Sequence, residues 1–350
     1  MIKKIKSIPS FCTSNKEVLN SIMVFAKIYN LPLLIEATSN QVNQFGGYSK
    51  LTPRKFYNKI MKMTERFNLN KNRVTIGADH LGPLPWAKKS EKIAIKNSIR
   101  LFRDCVKTGF KKIHIDTGMN LKNDRKLNKN KIIERCRKIY FSCTTDKFKK
   151  IDFIFGTEVP TAGGSKKFKL MQTSLDSIKD DVKEYKKLRK NFSLVIEPGL
   201  SFTNNKAYKL NMVSFKKKLK FSKKLKFFYE AHSTDYQSLS SLKKLVNNNF
   251  LYLKVGPEMT YSFMRAVLFL EKLEKKYFFS KISNIRKIIS LEMDKKNIYW
   301  KDYYKGNIRR KEFLKFYSLL DRSRYYWTNK KVLSSLTILK KNVNSIKIGS

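Results

Sequence analysis

Residues 74–83 read VTIGADHLGP, an apolar run that stops at Asp79-His80 and a Gly-Pro turn. The 350-residue chain carries 76 Lys and Arg but three His, so a histidine beside an aspartate at such a place asks for a chemical reason. Imidazole changes charge near neutral pH and is the commonest protein ligand for metals. A neighbouring carboxylate can carry a proton or orient a substrate hydroxyl. The other histidines fall in comparable settings: His114 in KKIHIDTG, two residues before Asp116, and His232 in KFFYEAHS, two residues after Glu230. Glu36, Glu158 and Glu197 end further short runs, and Lys254 lies in a last one, LYLKVGP. Acids number only 27, yet six of the eight runs end on one, a placement that chance would rarely produce.

The elements that must position these groups are those runs. They cover residues 7–14, 31–39, 74–80, 111–118, 152–160, 193–199, 226–233 and 251–257, each rich in β-formers and closed by Gly, Pro, Ser or Thr. Between them lie segments with apolar residues at helical spacing, such as KEVLNSIMVFAKIYN and EKIAIKNSIRLFRDCVKTG. Thr52-Pro53 is a helix start and Gly109 a helix stop. Repeated strand-helix units demand a parallel sheet, and eight of them predict an α/β fold, a closed (β/α)8 TIM barrel. An open doubly wound sheet is the alternative, and no Gly-rich dinucleotide fingerprint follows the first strand to support it. Lys/Asn-rich stretches near 121–131 and 203–224 read as loops. From about Glu271 onward the chain turns helical and aromatic, with YWKDYYKG and DRSRYYW. The predicted domains are a barrel over residues 1–275 and a helical extension over 276–350 that packs on it.

In such a barrel catalytic groups sit at the C-terminal ends of strands. His80, Glu158 and His232 belong to strands three, five and seven, and alternate strands supply one interior layer, so the three can converge as ligands of a divalent metal. Ordinary ion pairs or capping groups are the other reading of the same residues. Asp79, Asp116 and Glu197 are candidate catalytic carboxylates. In IHID the two-residue period sends Ile113 and Ile115 toward the helices and His114 into the lumen, as a site residue or as a core histidine bonded to a carboxylate. Glu36, His114, Gly164, Lys254 and Gly256 are candidate substrate contacts. Gly46-Gly47, Gly163-Gly164 and Gly256 follow strands, where free backbone N–H groups can cradle a phosphate, and Lys254 and Arg265 would add positive charge.

The formal charge is +49, but Lys is spread along the whole chain together with abundant Asn and Ile. That pattern reads as a composition bias rather than a nucleic-acid surface, which would need clustering. Cys12, Cys105, Cys136 and Cys143 show no CxxC pair or framework spacing, and a reducing compartment fits them. No stretch approaches the roughly 18 apolar residues of a membrane span. The expected location is the cytoplasm, with no membrane and no specific nucleic acid as partner.

LLIEATSNQVNQFGGY, GADHLGP, GFKKIHID, GTEVP, EAHSTDYQ, LKVGP and DRSRYYW, in that order from about residue 10 to residue 330, together resemble the tagatose-bisphosphate aldolase Z-subunit family of the GatZ/KbaZ type. The resemblance implies a TIM-barrel protein of sugar-phosphate metabolism related to class II aldolases. It implies a divalent metal cofactor, zinc or else manganese or another first-row ion, and a phosphorylated ketose as substrate. Two roles follow from it: metal-dependent retro-aldol and aldol chemistry as a ketose-phosphate 4-epimerase or aldolase, or support of a separate class II aldolase subunit as a non-catalytic partner. The class II pattern matches Asp79 as proton carrier and His80 as ligand, with His232 as a further ligand. Where a third histidine would end strand six, this chain has Glu197-Pro198.

Overall fold

The computed structural model describes residues 6–143, 145–157, 172–212 and 215–346. Eight parallel strands close into a barrel in chain order: β1 Ile8–Cys12, β2 Leu33–Thr38, β3 Val74–Leu81, β4 Lys112–Ile115, β5 Asp152–Phe155, β6 Ser193–Val195, β7 Phe228–Ala231 and β8 Phe250–Val255. Closure comes from β8 lying beside β1, where Ser10 pairs with Lys254. The (β/α)8 barrel predicted from the alternation is the observed fold, and the open sheet is excluded.

The helices begin and end for local reasons. Helix Pro53–Arg66 starts at Thr52, whose hydroxyl accepts the Lys55 N–H, and it buries Phe56, Ile60 and Met63 along one stripe. Helix Glu91–Thr108 stops at Gly109, whose φ of 105° is a conformation that costs glycine little. The Lys-rich stretch near 203–224 is not all loop. It holds strand Ala207–Tyr208, which pairs with Ser201–Phe202 just before it, and most of helix Lys216–Leu225. Lysine at six of the ten positions of KKKLKFSKKL hides the helical period there.

The two-residue period of the strands stacks the lumen in layers. A small apolar cluster of Leu34, Ile154, Val195 and Tyr252 forms one level. The next inward residues along the same strands are polar: Glu36 two residues beyond Leu34 and Lys254 two beyond Tyr252, while β4 contributes Lys112 and then His114. These side chains lie between 0% and 6% exposed, so the polar layers are interior and not surface.

The chain groups into two compact units. Residues 257–350 belong to the second, together with short segments that include 202–207, and nearly all the rest forms the first. The unit boundary therefore falls at 256/257 rather than at 275, because helix Pro257–Tyr277 shares a core with later helices. Met264, Val267 and Leu268 from it pack with Ile285, Ile289, Met293, Trp300, Tyr304, Leu336 and Leu339. No described helix is long and apolar enough to cross a membrane.

Candidate metal centre in the barrel

The bottom of the polar lumen is a ladder of alternating charge. Lys112 Nζ lies 2.8 Å from Glu36 Oε1 and 2.6 Å from Glu230 Oε2, over the ring of Tyr252. Glu36 also accepts the Ser10 hydroxyl. Gly77 makes room for this carboxylate: a Cβ there would lie 2.6 Å from Glu36 Oε1. Glu230 Oε1 continues the ladder to Lys254 Nζ at 3.0 Å, and Lys254 in turn pairs with Asp79. Burial pushes Asp79, Glu230, Lys112 and Lys254 toward neutrality, but the opposite charges win. Glu230 and Asp79 are held well below the usual carboxylate range, and Lys112 and Lys254 are raised.

Above the ladder the three histidines meet. Their ring centroids are 4.8 Å apart for His80 and His232, 5.0 Å for His80 and His114, and 5.1 Å for His114 and His232. Asp79, His80, His114 and His232 each offer a donor atom, all within 4.8 Å of one another. Consecutive residues of a regular strand face opposite sides, so Asp79 and His80 cannot both point inward without a break. The break is visible. Ala78 pairs with Ile113 and Leu81 with Ile115, which leaves two residues of β3 opposite one of β4, and His80 takes a left-handed φ of 41°. Such a bulge re-aims a side chain, and a non-glycine residue held there costs about 1–3 kcal/mol.

Hydrogen bonds set the imidazole tautomers. His80 Nδ1 is 2.7 Å from Asp116 Oδ2, which places a proton on Nδ1, and its Nε2 lies 3.7 Å from Asp79 Oδ2. His114 Nε2 donates to the Gly156 carbonyl at 3.0 Å, and its Nδ1 accepts the His80 backbone N–H at 3.3 Å. Burial pushes His114 down to about 4, although the Asp79 carboxylate pulls the other way, so the ring is neutral at physiological pH. Its Nδ1 lone pair then faces Asp79 Oδ1 at 3.1 Å, acceptor against acceptor. Carboxylate and carbonyl partners of this kind are what orient imidazoles in metal sites.

The residues fit a divalent cation on two counts. Asp79, His80, His114 and His232 each bring one potential ligand atom within 4.8 Å of the others, a spacing that a single cation can bridge. In the connected network, the four carboxylates of Glu36, Asp79, Asp116 and Glu230 face the two ammonium groups of Lys112 and Lys254 and the three imidazoles. Buried carboxylates in excess of ammonium groups favour a further positive charge, which a divalent ion would supply. Three nitrogens and a carboxylate suit zinc and other first-row ions.

The whole chain, residues 2–350, matches the model of the family described as D-tagatose-1,6-bisphosphate aldolase subunit GatZ/KbaZ-like. The chain belongs to that family. Curated members from Escherichia coli, each named D-tagatose-1,6-bisphosphate aldolase subunit GatZ, are 29% identical in strain O1:K1 / APEC and 30% identical in strain SMS-3-5. Both matches cover 97% of this chain and 85% of the relative. Among solved structures, a probable tagatose 6 phosphate kinase from Sinorhizobium meliloti superposes with a TM-score of 0.87 at 26% identity, over 98% of this chain and 89% of its own. A fructose-bisphosphate aldolase from Campylobacter jejuni shares the fold, with a TM-score of 0.56 at 15% identity over 97% of this chain and 90% of its own.

For this member of the GatZ/KbaZ-like family, the residues singled out from sequence separate into groups. His80, His232, Asp79 and His114 lie together, each with one potential ligand atom. Asp116 reaches the cluster by holding His80. Glu36 and Lys254, expected at a substrate, are instead buried in the ladder beneath. Glu197 is outside the four-donor group, and its Oε1 accepts the N–H groups of Gly199 and Leu200 at 3.3 Å, as a turn cap does. The Gly256 N–H is given to Asp235 at 2.9 Å instead of being open to a phosphate. Arg265 stacks over Tyr317. Glu158, Gly163 and Gly164 lie outside the described residues. Sequence reasoning missed Lys112, Ser10, Gly77 and Cys12, whose sulfur is 3.5 Å from Asp79 Oδ2. The alternation that turned His114 and Asp116 inward, extended back two residues, points to Lys112.

Proposed function

We propose that this protein is a metal-dependent enzyme acting on a phosphorylated ketose by retro-aldol and aldol chemistry, as a 4-epimerase or a class II aldolase component in the cytoplasm. The observation that carries the reading is the clustering of Asp79, His80, His114 and His232, each with a potential ligand atom within 4.8 Å of the others, in a lumen with four carboxylates and two ammonium groups. His80, His114 and His232 would hold the ion, with Asp79 beside it; bound there, it supplies electrostatic stabilisation of negative charge developing on the ketose oxygens. Asp79 takes the proton of the C4 hydroxyl as the C3–C4 bond breaks, leaving an aldehyde and a carbanion-equivalent fragment. Returning the proton after re-addition to the other aldehyde face inverts C4, and releasing the aldehyde completes a cleavage. Asp116 acts through His80, fixing its tautomer. Burial of the cluster excludes water, which would otherwise protonate the fragment.

A second reading, a subunit that supports a separate class II aldolase, is favoured by the word subunit in the relatives' names. The two are separated by assaying the purified chain alone on tagatose 6-phosphate, its bisphosphate and related phosphorylated ketoses. Epimerisation or cleavage that is lost in Asp79→Asn supports the first. Inactivity alone, together with a rise in activity of an added class II aldolase, supports the second.

A further inference from the structure

Gln41 follows β2 closely, at the end of the barrel where catalytic groups sit, and its side chain turns back over the strand ends. Its Oε1 accepts the Thr38 backbone N–H at 2.7 Å and lies 3.6 Å from Cys12 Sγ. An N–H donor at that distance requires an oxygen, which fixes the amide orientation and makes Nε2 the outer atom. Cys12 stands two residues beyond Ser10 on β1 and so faces the lumen, where its sulfur reaches Asp79. The amide thus sits at the rim of the polar lumen, two contacts from the Asp79 carboxylate. The backbone of Gln41 is held as firmly. Its N–H goes to the Thr38 carbonyl at 2.9 Å, and its carbonyl accepts the Ser49 hydroxyl at 2.6 Å. Gly47 permits this closure, because a Cβ there would stand 2.3 Å from the Gln41 carbonyl oxygen. The Gly46 and Gly47 N–H groups, expected as a phosphate cradle, are given to the Asn43 carbonyl at 2.8 Å and to its side chain at 3.2 Å. Gln41 is 6% exposed, yet its Nε2 has no partner among the described residues and is not sealed from solvent.

We infer that Gln41 is a substrate contact, whose Nε2 donates to a hydroxyl of the ketose at or beside C4. The inference rests on the function proposed above and names a residue that sets its specificity. A carboxylate such as Asp79 only accepts, an amide nitrogen only donates, and a sugar hydroxyl does both. The two groups at the lumen rim are therefore complementary to a polyhydroxylated chain and not to an apolar one. Because Gln41 is fixed by Thr38 and Ser49, little side-chain freedom is lost when it takes a ligand. A ligand without the hydroxyl leaves a fixed, nearly buried donor unanswered, which is how a site of this kind discriminates.

The test is calorimetric binding to the full chain of whichever binds best among tagatose 6-phosphate, its bisphosphate and fructose 6-phosphate, together with the 3-, 4- and 5-deoxy forms of that sugar. The natural protein is compared with Gln41→Glu, which keeps an acceptor for Thr38 and loses the donors, and with Gln41→Met. Both variants are expected to bind the parent sugar roughly 10–100-fold more weakly, with bound metal unchanged. One deoxy form is expected to bind the natural protein and both variants alike, because the contact it lacks is the one the variants lack. Equal binding of the parent sugar by natural protein and variants overturns the inference and leaves the proposed function standing, and so does an undiminished difference with all three deoxy forms. No binding of any of the sugars by the natural chain overturns the proposed substrate and the inference with it. Should neither variant fold, a crystal structure of the natural chain with the sugar decides. Nε2 within about 3.2 Å of a sugar hydroxyl supports the contact, and no sugar hydroxyl within that reach overturns it.

Discussion

The barrel lumen and the core of the second unit both bury cations, and they do so in opposite ways. In the second unit, Lys315 is fully buried but pairs with Asp294 and Glu312, whose side chains are 50% and 46% exposed. Arg322 lies against the face of Tyr303, with the Tyr299 and Tyr325 rings stacked 4.5 Å apart close by. Charge there is handed to half-exposed carboxylates or to aromatic faces, and the centre of the core is apolar. In the lumen the partners of Lys112 and Lys254 are themselves 0–1% exposed, and carboxylates outnumber ammonium groups. A chain with so many lysines thus has an ordinary way of burying one. The lumen departs from it, in the direction that the proposed cation site requires.

The largest test of that contrast is Lys112→Met. It strands Glu36 in the barrel and should cost on the order of 3–5 kcal/mol in denaturant unfolding. Adding Glu36→Gln should return much of the loss, and a cost near zero for the single change would erase the contrast. In the second unit, Leu339→Ala should cost about 3 kcal/mol through a cavity, with metal binding by the lumen unchanged. Asp116→Asn weakens the partner that sets the His80 tautomer. Metal affinity is expected to fall by about 10–100-fold, measured by chelator competition, with unfolding little changed. The smallest effect is Tyr304→Phe, which removes the acceptor of the Arg322 backbone N–H and should cost about 1 kcal/mol, a single neutral hydrogen bond.

What could be read from the sequence follows the same division. The eight strands were legible because each is a short apolar run stopped by Gly, Pro, Ser or Thr. His80 and His232 were legible because histidine is scarce. Placing His114 among substrate contacts came from treating alternate strands as one layer. The bulge at Asp79-His80, a register event that strand periodicity does not announce, brings a β4 residue level with residues from β3 and β7. In the proposed site, His114 from β4 takes the place of a histidine at the end of strand six. Lys112 and the true place of Lys254 were hidden by composition, since one lysine among so many carries little information until its neighbours are known. The unit boundary was misplaced because the apolar spacing of Pro257–Tyr277 shows that the helix has a buried face, not which core receives it.

The most direct measurement of the central claim is elemental analysis of the purified natural chain beside His80→Ala and His232→Ala. About one equivalent of zinc or another first-row ion in the natural protein, lost from both variants while circular dichroism and unfolding remain near normal, is the predicted result. A natural chain that takes up no divalent ion, or variants that keep a full equivalent, would contradict it.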